Sequence, residues 1–211
     1  MIIRILLADD HALFRDGLKR IFSETADIVV VAEAENGEDA LRKMRQTEWD
    51  VALLDIHLPD MNGLEVLKRL MADGAEHRVL MLSMYPEDEY AIRAIRAGAS
   101  GYLTKDSSAD LLISVIRRLA SGGKYVGPGL AEKLLFNPDL TAEAPLHSLL
   151  SDRELDVFKF IVAGVSLTLI AEKLSLSVKT VSTYRSRILE KMNVQNNSQL
   201  IRYAVQHQLV E

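Results

Sequence analysis

Residues 2–10 read IIRILLADD, residues 50–55 DVALLD, residues 79–83 VLMLS and residues 101–105 GYLTK. In each stretch a short apolar run leads into a polar residue: Asp9 and Asp10, then Asp55, then Ser83, and Lys105 just past GYL. The runs are near-continuous rather than alternating, as strands buried on both faces of a parallel sheet should be. In an open parallel sheet, ligands bind outside the carboxyl ends of the strands. Residues scattered in sequence are therefore expected at one edge. Two adjacent acids, a lone acid, a hydroxyl and an amine are the parts needed to hold a divalent cation and a phosphoryl group on one carboxylate.

Working outward, the first ~125 residues repeat an apolar strand followed by an amphipathic helix. Strands are expected at 2–8, 28–34, 50–54, 78–82 and 101–103, and helices at about 12–24, 37–46, 64–73, 87–97 and 108–120. Five β/α units predict an α/β fold, a flavodoxin-like doubly wound five-stranded parallel sheet with right-handed crossovers. Gly122, Gly123, Gly127, Pro128, Gly129, Pro138 and Pro145 then break the pattern, so 123–147 reads as a semi-flexible, mostly exposed linker with a short helix possible at 130–136. From 148 onward no strand signal remains. Ser151 followed by Glu154 is a capping-box pattern opening a helix of about 152–163, and further helices are expected at 167–174, 178–191 and 197–207. A tight SLS turn joins the second and third, a helix-turn-helix within an all-α four-helix domain. The expected organisation is 1–122, linker 123–147, and 148–211.

Composition bounds the function. Of the 211 residues 26% are charged and 48% belong to the hydrophobic set, ordinary values for a soluble globular protein. No apolar run approaches a membrane span, no signal-peptide pattern opens the chain, and cysteine is absent; a reducing cytoplasm and no membrane are expected. The net charge of −5 is uneven: 16 cationic residues oppose 21 acidic ones up to 127, but 8 oppose 6 from 148. Nucleic-acid contact therefore belongs to the C-terminal part. Walker A, HExxH and nucleophile-elbow motifs are missing, and SGGK at 121–124 lacks the flanks of a P-loop. No turnover enzyme and no catalytic residue set are expected.

LLADDH (6–11), LLDIHLPDMNG (53–63), MLSMY (81–85) and GYLTKD (101–106) resemble the signature segments of a response-regulator receiver domain, in that family's order. The resemblance covers about 1–122. It implies that Asp55 accepts a phosphoryl group from a sensor histidine kinase or a phosphotransfer protein. It also implies Mg2+ held by Asp10, Asp55, an assisting Asp9 and the backbone carbonyl of His57. Ser83 becomes the switch hydroxyl, Tyr102 the switch aromatic that rotates inward, and Lys105 the phosphate-binding lysine. The His57 side chain and Tyr85 occupy the variable positions that tune aspartyl-phosphate lifetime. His11 and His57 beside the acids would suit a transition metal, but the oxygen-rich set suits Mg2+ better. The family often places a cis proline after its lysine; this chain has Asp106, and a trans bond is expected.

LSDRELDVFKFIVAGVSLTLIAEKLSLSVKTVSTYRSRILEKMNV (150–194) resembles the LuxR-type four-helix DNA-binding domain. Together the two resemblances point to the NarL/FixJ class of two-component response regulators. In helix 178–191, Val181, Ile188, Leu189 and Met192 form an inward stripe. Lys179, Thr180, Ser182, Thr183, Arg185, Ser186 and Arg187 are the candidate contacts to double-stranded promoter DNA. The family's frequent Lys-Glu pair before Ile170-Ala171 is replaced by Thr168 and Leu169, which leaves Leu169 for a protein contact. The last helix is implied to pair two copies through Leu200, Ile201 and Ala204, with Val205 beside them, giving a homodimer when phosphorylated.

Overall fold

The computed structural model describes residues 2–72, 74, 76–84, 89–131, 146–207 and 209. Its chain divides into two compact units, 1–138 and 139–211. In the first, the strands are β1 (Ile3–Ala8), β2 (Ile28–Ala34), β3 (Val51–Asp55), β4 (Val79–Ser83) and β5 (Gly101–Thr104). All pair in parallel, in the order β2-β1-β3-β4-β5. The helices are α1 (Ala12–Ser23), α2 (Gly37–Gln46), α3 (Gly63–Met71), α4 (Glu89–Arg96) and α5 (Ala109–Ala120). β3 and β4 are buried at every residue, which explains why their runs do not alternate.

One face of the sheet carries Ile5, Leu7, Leu53, Leu80, Leu82 and Leu103 against Leu18 and Phe22 of α1 and Leu112, Val115, Ile116 and Leu119 of α5. Strand alternation turns Leu6, Ala52, Leu54, Met81 and Tyr102, all buried, to the opposite face. Each such leucine contributes about 1.5–3 kcal/mol on burial. The strand order reverses between β1 and β3, because the chain leaves β1 for the outer β2 and returns to β3 on the other side. That switch point is where doubly wound sheets open a crevice.

The expected linker begins differently. Tyr125 bridges to Gly101, its N–H donates to Ser100 O at 2.9 Å, and Tyr125 packs on the core just described. Residues 128–131 are helical and Leu130 is buried, so the stretch after 123 starts as part of the first unit. The rest of the short helix expected at 130–136, with Pro138 and Pro145, lies outside the described residues.

In the second unit a 3-10 turn (Leu146–Leu149) precedes α6 (Asp152–Val162), α7 (Leu167–Lys173), α8 (Val178–Lys191) and α9 (Asn197–Gln206). Ser151 and Glu154 form the capping box, and Ser166, Ser177 and Asn196 cap the next three helices. Leu155, Phe158 and Ile161 of α6, Ile170 and Ala171 of α7, Val181 and Ile188 of α8, with Met192 just after it, and Leu200 and Ala204 of α9 are among its buried apolar residues. Ser175, in the turn between α7 and α8, has φ 53° and sits in the left-handed region. Glu154, buried in α6, accepts from Lys191 Nζ at 2.6 Å and from Ser151 N at 2.8 Å. Burial pushes this carboxyl's pKa up, but Lys191 and Ser151 outweigh it and hold the value below the ordinary one.

Candidate functional sites: an acidic pocket and a helix-turn-helix face

Asp9 and Asp10 follow β1 directly, Asp55 closes β3, Ser83 closes β4 and Lys105 follows β5. The switch point between β1 and β3 therefore brings the three acids together. Ligand atoms of Asp9, Asp10, His11 and Asp55 lie within 4.8 Å of one another. Lys105 Nζ sits 2.8 Å from Asp55 Oδ2 and 2.7 Å from Asp9 Oδ2, with all three side chains at most 4% exposed. The ammonium also lies 4.9 Å from the centre of the Phe14 ring.

Burial is the largest influence on Asp55 and raises its pKa; repulsion from Asp9 adds to this, and Lys105 opposes it. Burial would lower the pKa of Lys105, but Asp55 and Asp9 more than offset it and raise the value, so the amine stays charged. Three carboxylates face one ammonium. The shortfall of positive charge and the oxygen donors fit a hard divalent cation. His11 Nδ1 lies 2.7 Å from Asp10 Oδ1 and 3.2 Å from Asp9 Oδ1.

The loop after Asp55 is held tightly. Asp55 Oδ1 accepts from His57 N at 3.2 Å, and Gly63 N donates to Ile56 O at 2.8 Å. A Cβ at Gly63 would come within 2.0 Å of Asp55 O, so only glycine lets α3 start here. Asp60 accepts from Gly37 N at 2.6 Å and Glu38 N at 2.9 Å, fastening the loop to the start of α2. The His57 ring packs edge-on against the buried Tyr90 of α4, 5.8 Å between centroids. Tyr85 lies outside the described residues.

Ser83 is wholly buried, one residue beyond the β3–β4 partner of Asp55. Tyr102 pairs with Met81, which places its side chain on the same sheet face as Ser83. Tyr102 is already 0% exposed, so its ring does not start from a solvent-exposed position in this state. No cis peptide bond occurs among the described residues, Lys105–Asp106 included.

In the second unit, Lys179, Ser182, Thr183, Ser186 and Arg187 are exposed on α8, while Val181 and Ile188 are buried and Leu189 is half-buried. Thr183 Oγ1 donates to Lys179 O at 3.0 Å and Ser186 Oγ to Ser182 O at 3.1 Å, leaving these oxygens open as acceptors. The other three cations of this helix have mixed fates. Arg187 projects outward, Arg185 Nε donates to Asn197 Oδ1 at 2.7 Å, and Lys191 pairs with Glu154. Thr180 is half-buried and its hydroxyl meets the Ser177 cap at 2.8 Å. Arg185 and Thr180 are thus partly committed to the fold. Leu200 and Ala204 are both 0% exposed, which corrects their assignment to a dimer seam: they are core. Ile201, at 38%, and Val205, at 61%, are the exposed apolar pair of α9. Leu169 is 43% exposed.

Residues 5–117 match the family model for the response regulator receiver domain, and residues 148–204 match that for bacterial regulatory proteins of the luxR family. The chain is a response regulator. Response regulator GacA of Pseudomonas protegens is 35% identical to it over 209 residues, covering 99% of this chain and 98% of that one. Response regulator UvrY of Escherichia coli K12 is 36% identical over 210 residues, with 98% and 95% covered. Among solved structures, response regulator ChrA of a heme-sensing two-component system is 32% identical, covers 99% of both chains and aligns with a TM-score of 0.53. This response regulator therefore carries a receiver and a LuxR-type DNA-binding domain, as two-component transcriptional regulators do. No helix among its described residues is long and apolar enough to cross a membrane.

Reading the sequence by strand ends missed Arg15, which donates to Asp9 O at 2.6 Å from a buried position in α1. Its signal was there. Arg15, Leu18 and Phe22 are the buried residues of α1, at i, i+3 and i+7, so a charge occupies a core position of the stripe.

Proposed function

We propose that Asp55 accepts a phosphoryl group from the phosphohistidine of a sensor kinase or phosphotransfer protein, and that this controls binding of the second unit to double-stranded promoter DNA. The Asp55 carboxylate attacks phosphorus, the P–N bond to the histidine breaks, and an acyl phosphate forms. Mg2+ held by Asp9, Asp10, Asp55 and the His57 carbonyl supplies neutralisation of the phosphoryl oxygens. Lys105 then passes from bridging two carboxylates to pairing with the phosphoryl group, and the Ser83 hydroxyl donates to another of its oxygens. The observation that carries this reading is the buried Lys105 ammonium, held between Asp9 and Asp55. The protein acts as a signalling switch in the cytoplasm rather than as a turnover enzyme.

Because Tyr102 is already inside, activation works by holding the buried arrangement of Ser83 and Tyr102, shifting a pre-existing equilibrium. A shift from 1:99 to 99:1 needs about 5.5 kcal/mol. Charge-assisted hydrogen bonds of about 1.5–3 kcal/mol each supply it. Phosphorylated copies pair as a homodimer, and Ile201 with Val205 replaces Leu200 and Ala204 as the expected seam on α9. Lys179, Ser182, Thr183, Ser186 and Arg187 meet the DNA, with the free part of the Arg185 guanidinium beside them. The test is phosphorylation by acetyl phosphate with and without Mg2+, followed by promoter footprinting. Wild type should be modified only with the cation and should then footprint more tightly. Equal footprints from wild type and Asp55→Asn after that treatment would contradict the reading.

A further inference from the structure

Arg15 is the one charged residue in the buried stripe of α1. Its side chain is 8% exposed. Nη1 donates to Asp9 O at 2.6 Å, Nη2 pairs with Glu35, and Nε stands 3.5 Å from Glu33 Oε2. Glu33 is itself held by Lys19 Nζ at 3.0 Å, and its carbonyl accepts from Lys43. From the other side, Asp9 N donates to Ala34 O at 3.0 Å. Both ends of Asp9's main chain are thus fastened to β2 or to residues just beyond it.

A buried guanidinium costs several kcal/mol to desolvate, and a leucine at this position would complete the stripe at lower cost. What leucine cannot do is donate to a carbonyl. The Asp9 carbonyl belongs to the peptide plane joining Asp9 to Asp10, and that plane sets the direction in which the Asp10 side chain leaves the backbone. Asp10 lies at the surface, outside the packed core, so its aim depends on its own main chain together with His11, whose Nδ1 lies 2.7 Å from its carboxylate. Removing groups that orient metal ligands typically costs 10–100-fold in affinity.

We propose that Arg15 is a positioning residue for divalent-cation binding, holding the Asp9–Asp10 peptide so that both carboxylates converge on one ion. This rests on the reading of the pocket as a cation-assisted phosphoryl acceptor. The effect opposes simple electrostatics, because a fixed positive charge near the pocket repels a cation. Charge alone therefore predicts tighter Mg2+ binding after Arg15→Met, whereas positioning predicts weaker binding.

The experiment is calorimetric titration of the full chain with Mg2+ alone, for wild type, Arg15→Met, Arg15→Lys and Asp10→Asn, each confirmed folded by circular dichroism. The expected result is a Kd at least tenfold weaker for Arg15→Met, with a smaller loss for Arg15→Lys. A Kd within twofold of wild type, or tighter, overturns the inference. Should Arg15→Met fail to fold, Arg15→Lys decides, since it keeps the charge but changes the donor that reaches Asp9 O: a Kd within twofold of wild type, or tighter, overturns the inference. Wild type that binds no Mg2+, or binds it equally well after Asp10→Asn, overturns the pocket reading and the inference with it.

Discussion

The acidic pocket and the α8 face solve opposite problems with the same kinds of residue. In the pocket, Asp9, Asp55 and Lys105 are almost wholly buried and each charge is met by another within 2.8 Å. On α8, Lys179 and Arg187 stand in solvent, and the hydroxyls of Thr183 and Ser186 donate to their own helix backbone. A buried charged cluster specifies its chemistry, because few ligands repay its desolvation. An exposed polar face specifies a class of partner and leaves the sequence it reads to the contacts made on binding.

The largest effect should come from Asp55→Asn, which removes phosphoryl acceptance altogether while making the receiver more stable. The sign follows from the raised pKa of Asp55: the native state holds its proton more tightly than the unfolded chain. That contribution to stability is present at low pH and is lost as pH rises through the folded-state value. At neutral pH the buried charge is a burden, and removing it should stabilise by about 1 kcal/mol, raising Tm by roughly 3–8 °C without divalent cation. Calorimetry on both forms checks this. A fall in Tm would mean that Lys105 already compensates Asp55 fully, closing the contrast with α8.

Next in size, Leu200→Asp should unfold the second unit, at a cost of about 3–5 kcal/mol, because it buries an unpaired carboxylate. Ile201→Asp should leave its circular dichroism and melting unchanged and weaken only self-association, read by sedimentation. Glu154→Gln should cost about 1.5–3 kcal/mol at neutral pH. Glu154's pKa is lowered in the fold, so its contribution is full above the ordinary carboxylate value and fades as pH falls through the folded-state value. Denaturant titrations across that range should show wild type converging on the variant at the acid end. The smallest effects belong to the exposed face: Lys179→Ala and Arg187→Ala should each flatten the salt dependence of DNA binding by about 0.9 in the log–log slope. Equal slopes for wild type and both variants would remove them from the phosphate-contacting set.

The sheet and the site at its carboxyl edge could be read from four strand ends, because burial on both faces leaves an unbroken apolar run and the crevice follows from strand order. What stayed hidden depended on partners distant in sequence. Lys191 is held by Glu154, 37 residues away, a pairing that the residue pattern of α8 alone does not show. Arg185 was likewise drawn off by Asn197. In α9 apolar residues fall on adjacent positions, so spacing alone could not divide core Leu200 and Ala204 from exposed Ile201 and Val205. That the Tyr102 ring already lies buried leaves no mark in a residue pattern.

In the proposed switch, one carboxylate of this pocket, Asp55, carries the phosphoryl group. The most direct measurement is to phosphorylate the protein with acetyl phosphate and Mg2+, reduce the acyl phosphate with borohydride, and locate the resulting homoserine by mass spectrometry. Conversion is expected at Asp55, and none when Mg2+ is withheld. Conversion at Asp9 or Asp10 with Asp55 intact, or none at any aspartate, would contradict that assignment.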